Sequence, residues 1–356
     1  MGNTSGSSYS KLALPQWYAE GSRSYGKRGF ENASKGFCVT DLEGNLKGRV
    51  AIITGANRGL GFATAKALAS KHASVHMLCR DALRGTEARD RLIAETGNPD
   101  VTMHEVDVSD FDAIRSFAKE FGRHATRLDV LINNAGGMPS ERQTTPQGNE
   151  VIMATMLGGC HLLTGLMAQL LKAAATPTGL AESSSNADAS GSVSGGFKAG
   201  TAAGRVINVS SAGMYLVKGS SRDLNGESRT YDGTFTYSMA KRLQVMLTEL
   251  WARRFQKEAG EAGPLVTVNS MHPGWSDTPG LQIYMPGFHA RQKHSLRTQE
   301  QGADTIVWLA AAGWESGVAP AGRTGEFWFD RRPQRTHLRL AGTTASAQEE
   351  AQLWRA

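Results

Sequence analysis

A glycine-rich turn between an apolar strand and a helix constrains the fold of this chain more than any other feature. Residues 49–53 are mostly apolar and β-branched and predict a buried parallel strand, while residues 62–70 are rich in alanine and favour a helix. Between them, residues 54–61 read TGANRGLG. Glycines at this spacing permit a tight turn and bring backbone N–H groups close to a pyrophosphate at a helix N-terminus. An ordinary strand–helix loop is the alternative, but the flanking strand and helix favour a dinucleotide-binding turn.

Strands and helices alternate from Gly48 onward. Seven strands are predicted, near residues 49–54, 73–79, 101–106, 128–132, 205–209, 264–270 and 325–330. This order predicts an α/β fold with one Rossmann-type, doubly wound parallel sheet, helices on both faces and right-handed crossovers. At 356 residues and 40% apolar composition, the chain is large enough for one substantial core.

The alternation divides the chain into segments. Residues 1–47 are predicted to be an N-terminal extension with a mobile start and a helical arm, and residues 48–345 the Rossmann-type domain. The stretch at about 173–204 is dominated by Ala, Ser, Gly and Thr, a composition typical of a disordered insertion. Residues 346–356 are set apart as a C-terminal tail.

Tyr237 and Lys241, in the run TYSMAK at 236–241, are spaced so that they could act together in proton transfer. Four residues make just over one helical turn, so the phenol and the ammonium are expected on the same helix face. Because a neighbouring ammonium favours the phenolate, we expect Lys241 to lower the pKa of Tyr237 toward neutrality. Such pairs also occur by chance in many helices, so this one gains weight from the glycine turn upstream.

Three further strands end in small or polar residues. Residues 128–136 end in Asn-Asn-Ala-Gly, residues 205–213 deliver Ser210 and Ser211, and residues 266–274 end in Met-His-Pro-Gly. Two amides and a small-residue turn suit a cofactor edge that lies beside a sheet. A serine at a strand end is more often a turn cap than a catalyst, so each motif is weak alone.

In this order the motifs resemble those of the short-chain dehydrogenase/reductase family. The resemblance rests on TGANRGLG at 54–61, NNAG at 133–136, VSS at 209–211, YSMAK at 237–241 and Pro273-Gly274. Segments such as MHPGWSDTPG at 271–280, MPGFHAR at 285–291 and QGADT at 301–305 are similar to one branch of that family. The resemblance covers about residues 15–345. It implies a Rossmann-type fold and hydride transfer between a nicotinamide and a carbonyl or alcohol carbon.

The resemblance also implies catalytic roles. Tyr237 would donate a proton to the carbonyl oxygen or take one from the alcohol, Ser211 would hydrogen-bond that oxygen, and Lys241 would bind the nicotinamide ribose. Ser211 is preferred to Ser210 because the second serine is the catalytic one in the family, and neighbouring strand residues face opposite ways.

One position departs from the family pattern. The family commonly has an asparagine that links the lysine to a chain of water molecules, and alignment with the branch places Thr155 there. A hydroxyl can bond water but lacks the two N–H donors of an amide. The alternative is that Thr155 only caps or bends its helix by bonding the preceding turn.

The expected cofactor is NADP(H), with NAD(H) less favoured. Arg80 ends the second predicted strand, where the adenosine ribose is expected, and a guanidinium there suits a 2′-phosphate; Arg58 could add a second charge. Asp81 is the competing signal, because a carboxylate could accept the 2′-hydroxyl of NAD. The predicted cofactor contacts are Gly55, Asn57, Arg58, Gly59, Leu60, Gly61, Arg80, Asp107, Asn134, Ala135, Gly136, Tyr237, Lys241, Pro273, Gly274 and Thr278.

Composition argues against several other function classes. With 39 basic and 33 acidic residues, the net charge is +6, and no dense basic block of the kind that binds nucleic acid is present. Cys38, Cys79 and Cys160 lie far apart, so neither a disulfide framework nor a metal site is predicted. The sequence shows no signal peptide and no long uninterrupted apolar run, so we expect no transmembrane span.

The N-terminal arm is relevant to where in the cell the protein resides. Leu14, Trp17 and Tyr18 recur at helical spacing and predict a helix packed on the domain, although the same residues could form a patch for a membrane surface or a partner. The start half-matches an N-myristoylation signal but has Gly6 where Ser or Thr is required. A cytoplasmic location is therefore expected, with peripheral membrane association through the N-terminus and homo-oligomerisation left open.

Two functions are consistent with these residues. The first is an NADP-dependent oxidoreductase acting on an apolar carbonyl or alcohol, such as a retinoid, a steroid or a lipid aldehyde. The second is a dinucleotide-binding protein with weak or vestigial catalysis that acts as a sensor or scaffold. Ser211, Tyr237 and Lys241 favour the first, while Thr155 and the insertion keep the second open.

Overall fold

One eight-stranded sheet carries the fold of the described residues. The computed structural model describes residues 9–10, 12–174, 204–260, 265–313, 320, 322–339 and 341–355. Its strands are β1 (Val50–Thr54), β2 (Ser74–Cys79), β3 (Val101–Glu105), β4 (Val130–Asn133), β5 (Gly204–Val209), β6 (Val266–Met271), β7 (Phe327–Phe329) and β8 (Arg332–Gln334). Their order is β3-β2-β1-β4-β5-β6-β7-β8, with every pair parallel except β7 and β8. The predicted parallel α/β sheet is thus confirmed.

The helices occupy the connections that the sequence predicts. They are α1 (Ala13–Ser24), α2 (Lys27–Ser34), α3 (Gly59–Ala69), α4 (Ala82–Thr96), α5 (Phe111–His124), α6 (Val151–Met153), α7 (Gly159–Ala173), α8 (Gly233–Ala259), α9 (Pro279–Tyr284), α10 (Pro286–Gln292), α11 (Gln299–Ala311) and α12 (Ala347–Arg355). A π-helical turn, Ala154–Gly158, joins α6 to α7, and 3₁₀ turns span Val39–Leu42 and Ala212–Leu216. The predicted insertion lies almost wholly outside the described residues, as does the chain before Tyr9.

Both faces of the sheet are buried, which explains the near-continuous apolar strands. Successive side chains point to opposite faces of a strand, so Ala51 and Ile53 enter one apolar cluster, with residues of α3 and α11, while Ile52 enters another, with residues of α5 and α7. The edge that collects the carboxyl ends of the parallel strands therefore has helices on both sides. The glycine turn, the asparagines after β4 and the serines after β5 all lie at this edge.

Strand β8 was not predicted. It is three residues long and contains Pro333, which a strand tolerates at a sheet edge because its missing N–H can face outward. The two residues between β7 and β8, Asp330 and Arg331, have φ values of 49° and 56°. Positive φ at both positions matches the twist of a two-residue hairpin, although glycine or asparagine is the usual occupant. Ion pairs hold both side chains, Asp330 to Arg297 and Arg331 to Asp304.

The N-terminal arm packs on the domain, as its helical spacing predicts. Tyr25, just after α1, is fully buried and makes edge-to-face contacts with Trp275 and Phe329, whose ring centroids lie 5.7 and 5.4 Å away. On the outer side of the arm, Leu14 and Tyr18 remain more than half exposed. Membrane contact through that outer side stays a prediction.

The segment set apart as a C-terminal tail contains helix α12. Its buried Leu353 and its Trp354 face the domain, with the Trp354 ring 5.0 Å from that of Trp251 in α8. Arg253 in α8 also pairs with Glu350 at 2.7 Å. An apolar stripe on a short helix was enough to dock these residues, so 347–355 are part of the folded body.

One continuous helical stretch is apolar enough to resemble a membrane span. In the part of the chain that the structure describes, Val151–Ala173 is the stretch with the length and hydropathy expected of a membrane-spanning helix. Of its apolar 18-residue segment, 56% is buried inside the fold. Leu163, Met167 and Leu171 belong to the core cluster beneath the sheet. The apolar composition of this helix is accounted for by its packing against β4, β5 and α5.

Two histidines meet across β2 and β3. His76 Nδ1 lies 2.9 Å from His104 Nε2, and the rings of Phe117 and Phe121 flank the pair. Burial, and then the neighbouring His104, lowers the pKa of His76 to about 4 from its ordinary value of 6.5. Burial also lowers the pKa of His104. A single shared proton satisfies this pair, and a second would bring two buried charges together.

Acid should therefore destabilise the fold through His76. Between pH 6.5 and 4 the unfolded chain binds a proton that the folded His76 refuses, so the free energy of unfolding falls as the pH drops through this range. We expect His76→Gln to lose about 1 kcal/mol less stability than the wild type between pH 7 and pH 5. Urea unfolding at the two pH values measures this. The histidines that do not contact His76 are shared by the two proteins and cancel, so equal losses would contradict the prediction.

Candidate active site

The glycine turn after β1 has the conformation that its sequence predicts. Gly55 and Gly59 have φ values of 65° and 59°, which favour glycine. Gly61 is required for another reason, since a Cβ there would lie 2.6 Å from the amide nitrogen of Asn134. Arg58 precedes α3 with extended backbone, and no side chain within the described residues caps the helix. The first N–H groups of α3 are thus available to an anion.

The NNAG segment is fastened to the glycine turn. The backbone N–H groups of Asn134 and Ala135 both donate to the Thr54 hydroxyl at 2.9 Å, and the Asn134 side chain donates to the Thr54 carbonyl at 2.9 Å. These bonds join the carboxyl ends of β1 and β4. Gly136 lies beside them, where a Cβ would approach the Met156 methyl group to 2.6 Å. Asn134 thus fixes the shape of the site with its own amide hydrogens.

At the end of β2, Arg80 and Asp81, the two residues that favour different cofactors, differ in how their side chains are held. Asp81 caps α4, where its carboxylate accepts the Arg84 N–H and pairs with the Arg84 guanidinium, both at 3.0 Å. Its oxygens are therefore engaged. Arg80 is exposed, and within the described ranges no hydrogen bond or ion pair holds its guanidinium. Asp107, after β3, is similarly occupied, accepting from the N–H and the hydroxyl of Ser109.

The two serines after β5 face different ways. Ser210 is buried and donates its hydroxyl to the Lys241 carbonyl at 2.9 Å. Ser211 caps the following 3₁₀ turn by accepting from the Gly213 N–H, and its hydroxyl lies close enough to the phenol of Tyr237 to lower the pKa of that group. Strand alternation accounts for the difference. Ser211 and Tyr237 are thus brought together at the edge of the sheet, and Ser210 is turned toward helix α8.

Tyr237 and Lys241 lie on one face of α8, as their spacing predicts, with the ammonium 5.7 Å from the centre of the phenol ring. The expected lowering of the tyrosine pKa was wrong for the described structure. Burial raises the pKa of Tyr237, and the Ser211 hydrogen bond opposes this to a smaller extent. The Lys241 ammonium is instead held by the Val209 carbonyl at 2.5 Å and the Gln244 amide oxygen at 3.3 Å.

Burial also favours the uncharged form of Lys241. Lys241 is 3% exposed, and burial lowers its pKa to about 8 from 10.5, an effect that the electrostatic interaction with Cys160 opposes. A cation in such a place is costly unless oxygen atoms surround it. The two acceptors, Val209 and Gln244, supply those oxygens.

Thr155 lies in the π-helical turn before α7. Its hydroxyl donates to the Val151 carbonyl at 2.7 Å, which is the local bond of the alternative interpretation. A cavity of about 10 Å³ separates Thr155 from Gln244 and Cys160. That space suffices for about one water molecule. The single proton of Thr155 is already donated, so its part in a relay stays a prediction.

A buried polar network behind Lys241 was not predicted. Asn133 donates to the Asn208 side-chain oxygen at 2.8 Å, Asn208 donates to Thr248 at 2.8 Å, and Cys160 donates to Asn208 at 3.1 Å. Gln244 lies 3.9 Å from the Cys160 sulfur and connects this network to the lysine. The helical spacing of Lys241 and Gln244 was a signal that could have revealed this connection.

The loop after β6 closes the site on the cofactor side. Gly274 has a φ of 71°, and a Cβ there would lie 2.6 Å from both Arg297 Nε and the Tyr25 carbonyl. Thr278 caps α9 and lies 3.7 Å from the position of a Cβ on Gly59. Of the predicted contact residues of this loop, Thr278 therefore lies against the glycine turn, while Gly274 packs against Arg297 and Tyr25.

Comparisons with known proteins agree with this geometry. The family model described as short chain dehydrogenase matches residues 49–187. Dehydrogenase/reductase SDR family member 12 from Homo sapiens is 40% identical over 95% of this chain and 94% of its own length. Retinol dehydrogenase 12 from Homo sapiens is 34% identical over 67% of this chain and 64% of its own length. The predicted branch is the one to which the first relative belongs.

Solved structures share the fold. An uncharacterized protein from Mycobacterium Paratuberculosis matches with a TM-score of 0.62 and 25% identity, covering 88% of this chain and 92% of that one. The RhlG/NADP active-site complex from Pseudomonas aeruginosa matches with a TM-score of 0.58 and 22% identity, covering 82% and 96%. At such identity the second likeness shows the fold alone. The 40% identity over nearly the whole chain goes further: this chain belongs to the short-chain dehydrogenase/reductase family of oxidoreductases.

Proposed function

We propose that this protein is an NADP(H)-dependent oxidoreductase that acts on the carbonyl or alcohol carbon of an apolar small molecule. The proposal rests on one observation. Ser211 and Tyr237 lie close together at the same sheet edge as the glycine turn, and the Lys241 ammonium is 5.7 Å from the centre of the phenol ring. The nicotinamide supplies or accepts the hydride when bound. The chain must then bind the substrate oxygen and move one proton.

Each of the three side chains has a separate task in this proposal. The Ser211 hydroxyl holds the substrate oxygen in line with the phenol and donates a hydrogen bond as negative charge develops on that oxygen. Tyr237 transfers the proton at its phenol oxygen. Lys241, held by Val209 and Gln244, presents its ammonium to the ribose hydroxyls. The pKa of Tyr237 is raised, so its phenol is protonated at neutral pH and carries the proton that reduction of a carbonyl requires.

The two neighbouring serines offer a matched test. Ser211→Ala should lower kcat by about 10² to 10³, the usual cost of losing a donor to a developing oxyanion. Ser210→Ala removes a buried bond to the Lys241 carbonyl and should cost about 1 kcal/mol of stability but less than tenfold in kcat. Steady-state rates and urea midpoints of both variants measure these effects. The reverse order of kcat losses would mean that the roles of the two serines are exchanged.

The residues present fit a dinucleotide with a 2′-phosphate. Gly55, Gly59 and Gly61 leave the turn open for close approach of a pyrophosphate, and the start of α3 presents free N–H groups. Asp81 has its carboxylate committed to Arg84, which weakens the case for NAD. Among the described residues Arg80 has no such partner, and its guanidinium suits a phosphate. Some solved relatives are named as NADP complexes, which agrees with this preference.

Arg80 should therefore set the cofactor preference. We expect Arg80→Ala to weaken NADPH binding by tenfold or more, about 1.4 kcal/mol, and to leave NADH binding unchanged. Arg89→Ala is the matched control, because it removes an equal charge from α4, where Arg89 pairs with Asp90. Fluorescence titration of both reduced cofactors decides the matter. Tighter binding of NADH by the wild type, or equal NADPH affinity in Arg80→Ala, would overturn the NADP preference.

An apolar substrate is supported by the aromatic side chains around the closing loop. Trp275 contacts Trp17 from the arm and Phe288 from α10, with ring centroids 5.9 and 5.2 Å apart. Tyr284 in α9 lies over the segment after NNAG, with its hydroxyl 2.9 Å from the position of a Cβ on Gly137. Retinol dehydrogenases are among the relatives, and an apolar alcohol or aldehyde is the class we propose.

The proposed function is tested by turnover. A panel of retinoid, steroid and lipid carbonyls and alcohols is incubated with each cofactor, and absorbance at the nicotinamide band is followed. We expect oxidation of NADPH with at least one apolar aldehyde or ketone, and its loss in Tyr237→Phe. NADPH binding without turnover on any member would contradict the proposal.

A second candidate function rests on Thr155. Its hydroxyl is bonded to Val151 rather than free for proton relay, and a slow relay would suit a dinucleotide-binding sensor or scaffold. Binding of NADPH with turnover too slow to measure would favour this candidate. The intact Ser211, Tyr237 and Lys241 favour the enzyme.

A further inference from the structure

Gln244 lies one helical turn beyond Lys241, on the face of α8 that points into the fold. It is 1% exposed, and its amide oxygen accepts from the Lys241 ammonium at 3.3 Å. An ammonium can only donate, so the oxygen and not the nitrogen of this amide must face it. The Gln244 nitrogen points the other way, toward the Cys160 sulfur at 3.9 Å.

The amide is held in that orientation by the network behind it. The Cys160 thiol donates to the Asn208 oxygen at 3.1 Å, and Asn208 in turn donates to Thr248, one turn further along α8. Gln244 and its partners are all buried. Fixed hydrogen-bond partners on one side of the Gln244 amide hold its rotamer. The other side of the amide can therefore keep the Lys241 ammonium in a defined position.

Thr155 does not reach the lysine through any direct bond in the described structure. Its proton is donated to Val151, and the cavity of about 10 Å³ lies between it and Gln244. The amide that touches Lys241 therefore comes from α8 rather than from the turn before α7.

We infer that Gln244 is a positioning residue for Lys241, which its amide oxygen keeps charged and directed toward the cofactor ribose. The inference rests on the proposed function, because only a bound nicotinamide cofactor would give the ammonium a ribose to face. The contact between Gln244 and Lys241 does not depend on that function. The titratable groups that face the ammonium are Tyr237 on its own helix and Cys160 on α7. Burial raises the pKa of the Cys160 thiol to about 12 and raises that of Tyr237 above 10, so Lys241 titrates before either.

Two substitutions of Gln244 should act in opposite directions. Gln244→Met keeps the volume of the side chain and removes the acceptor, so the ammonium loses its proton at lower pH. Gln244→Glu keeps an oxygen and adds negative charge, so the ammonium survives to higher pH. A role limited to packing would not give opposite shifts. Leu247→Met is the matched control, because Leu247 is also buried on α8 and its side chain has no polar atom that could bond Lys241, Gln244 or the network behind them.

The experiment measures NADPH affinity by fluorescence titration from pH 6 to pH 10, with thermal melts to show that each variant is folded. Wild-type affinity should fall as the pH rises through about 8, where burial places the Lys241 pKa. We expect the midpoint of this fall to move down by about one pH unit in Gln244→Met, the order expected for losing a hydrogen bond to a charged group. It should move up in Gln244→Glu and stay in place in Leu247→Met.

A midpoint that is unchanged in Gln244→Met, or that moves the same way in all three variants, would overturn the inference. Binding is measured without substrate, so this outcome is independent of turnover. If no carbonyl on the panel is reduced but the midpoints shift as expected, the proposed function fails and the positioning role of Gln244 stands.

Discussion

Tyr237→Phe is expected to lower kcat by about 10² to 10⁴ while NADPH binds as in the wild type, because the substitution removes only the proton-transferring oxygen. The phenol is the group that Ser211 contacts, and no other tyrosine shares its position beside Lys241 in the described chain. Stopped-flow measurement of hydride transfer and a cofactor titration on the same sample separate the two effects.

The control for this variant is Tyr215→Phe. Tyr215 lies in the 3₁₀ turn that follows Ser211, and its hydroxyl donates to the Arg335 carbonyl at 2.7 Å. Its loss should lower stability modestly and leave kcat within a fewfold of the wild type. If Tyr237→Phe retained more than about a tenth of kcat, a barrier change below about 1.4 kcal/mol, another group would have to carry the proton.

Asp330→Ala should be the most destabilising single substitution considered, at about 3–5 kcal/mol in the free energy of unfolding. The Arg297 guanidinium is 1% exposed and forms a two-point ion pair with Asp330 at 2.6 and 2.9 Å. Removing the carboxylate leaves a buried cation whose remaining hydrogen-bond acceptors among the described residues are the Tyr25 and Ser24 carbonyls. Alanine is also poorly suited to the positive φ of position 330. Urea unfolding measures the loss.

Asp330→Asn separates charge from backbone strain. Asparagine tolerates positive φ and keeps one acceptor oxygen, so only the ionic part of the pair is lost. We expect a loss roughly half that of Asp330→Ala. A loss below about 1 kcal/mol for Asp330→Ala would show that the ion pair does not support the hairpin. Equal losses in the two variants would assign the whole effect to charge.

The sequence predicted the parts of the site that depend on neighbours in the chain. The strand, glycine turn and helix at 49–70 form one local unit, and Tyr237 and Lys241 are one helical turn apart. Local spacing decides which residues share a face, so the parallel sheet and the sheet-edge position of the serines followed from the pattern. The family resemblance added the expected chemistry of those positions without fixing the substrate.

What the sequence could not show depends on residues far apart in the chain. Arg297 bonds to Ser24 and Tyr25, more than 270 positions away, and no periodicity reports such a contact. The direction of the Tyr237 pKa shift was missed because burial, which dominates it, is a property of the packed fold. Strand β8 was missed because three residues with a proline give no strand pattern.

The attachment of the arm suggests where to place spectroscopic labels. Tyr9 forms a β-bridge with Val217, and the neighbouring Ser10 N–H donates to the Leu216 carbonyl at 2.8 Å, at the end of the turn that begins at Ser211. The Tyr9 ring also contacts Phe235 at the start of α8. Trp354 contacts α8 sixteen residues later, about 24 Å along its axis. A dye near Tyr9 should respond to ligands entering the site, and one near Trp354 should serve as a fixed reference for distance measurements.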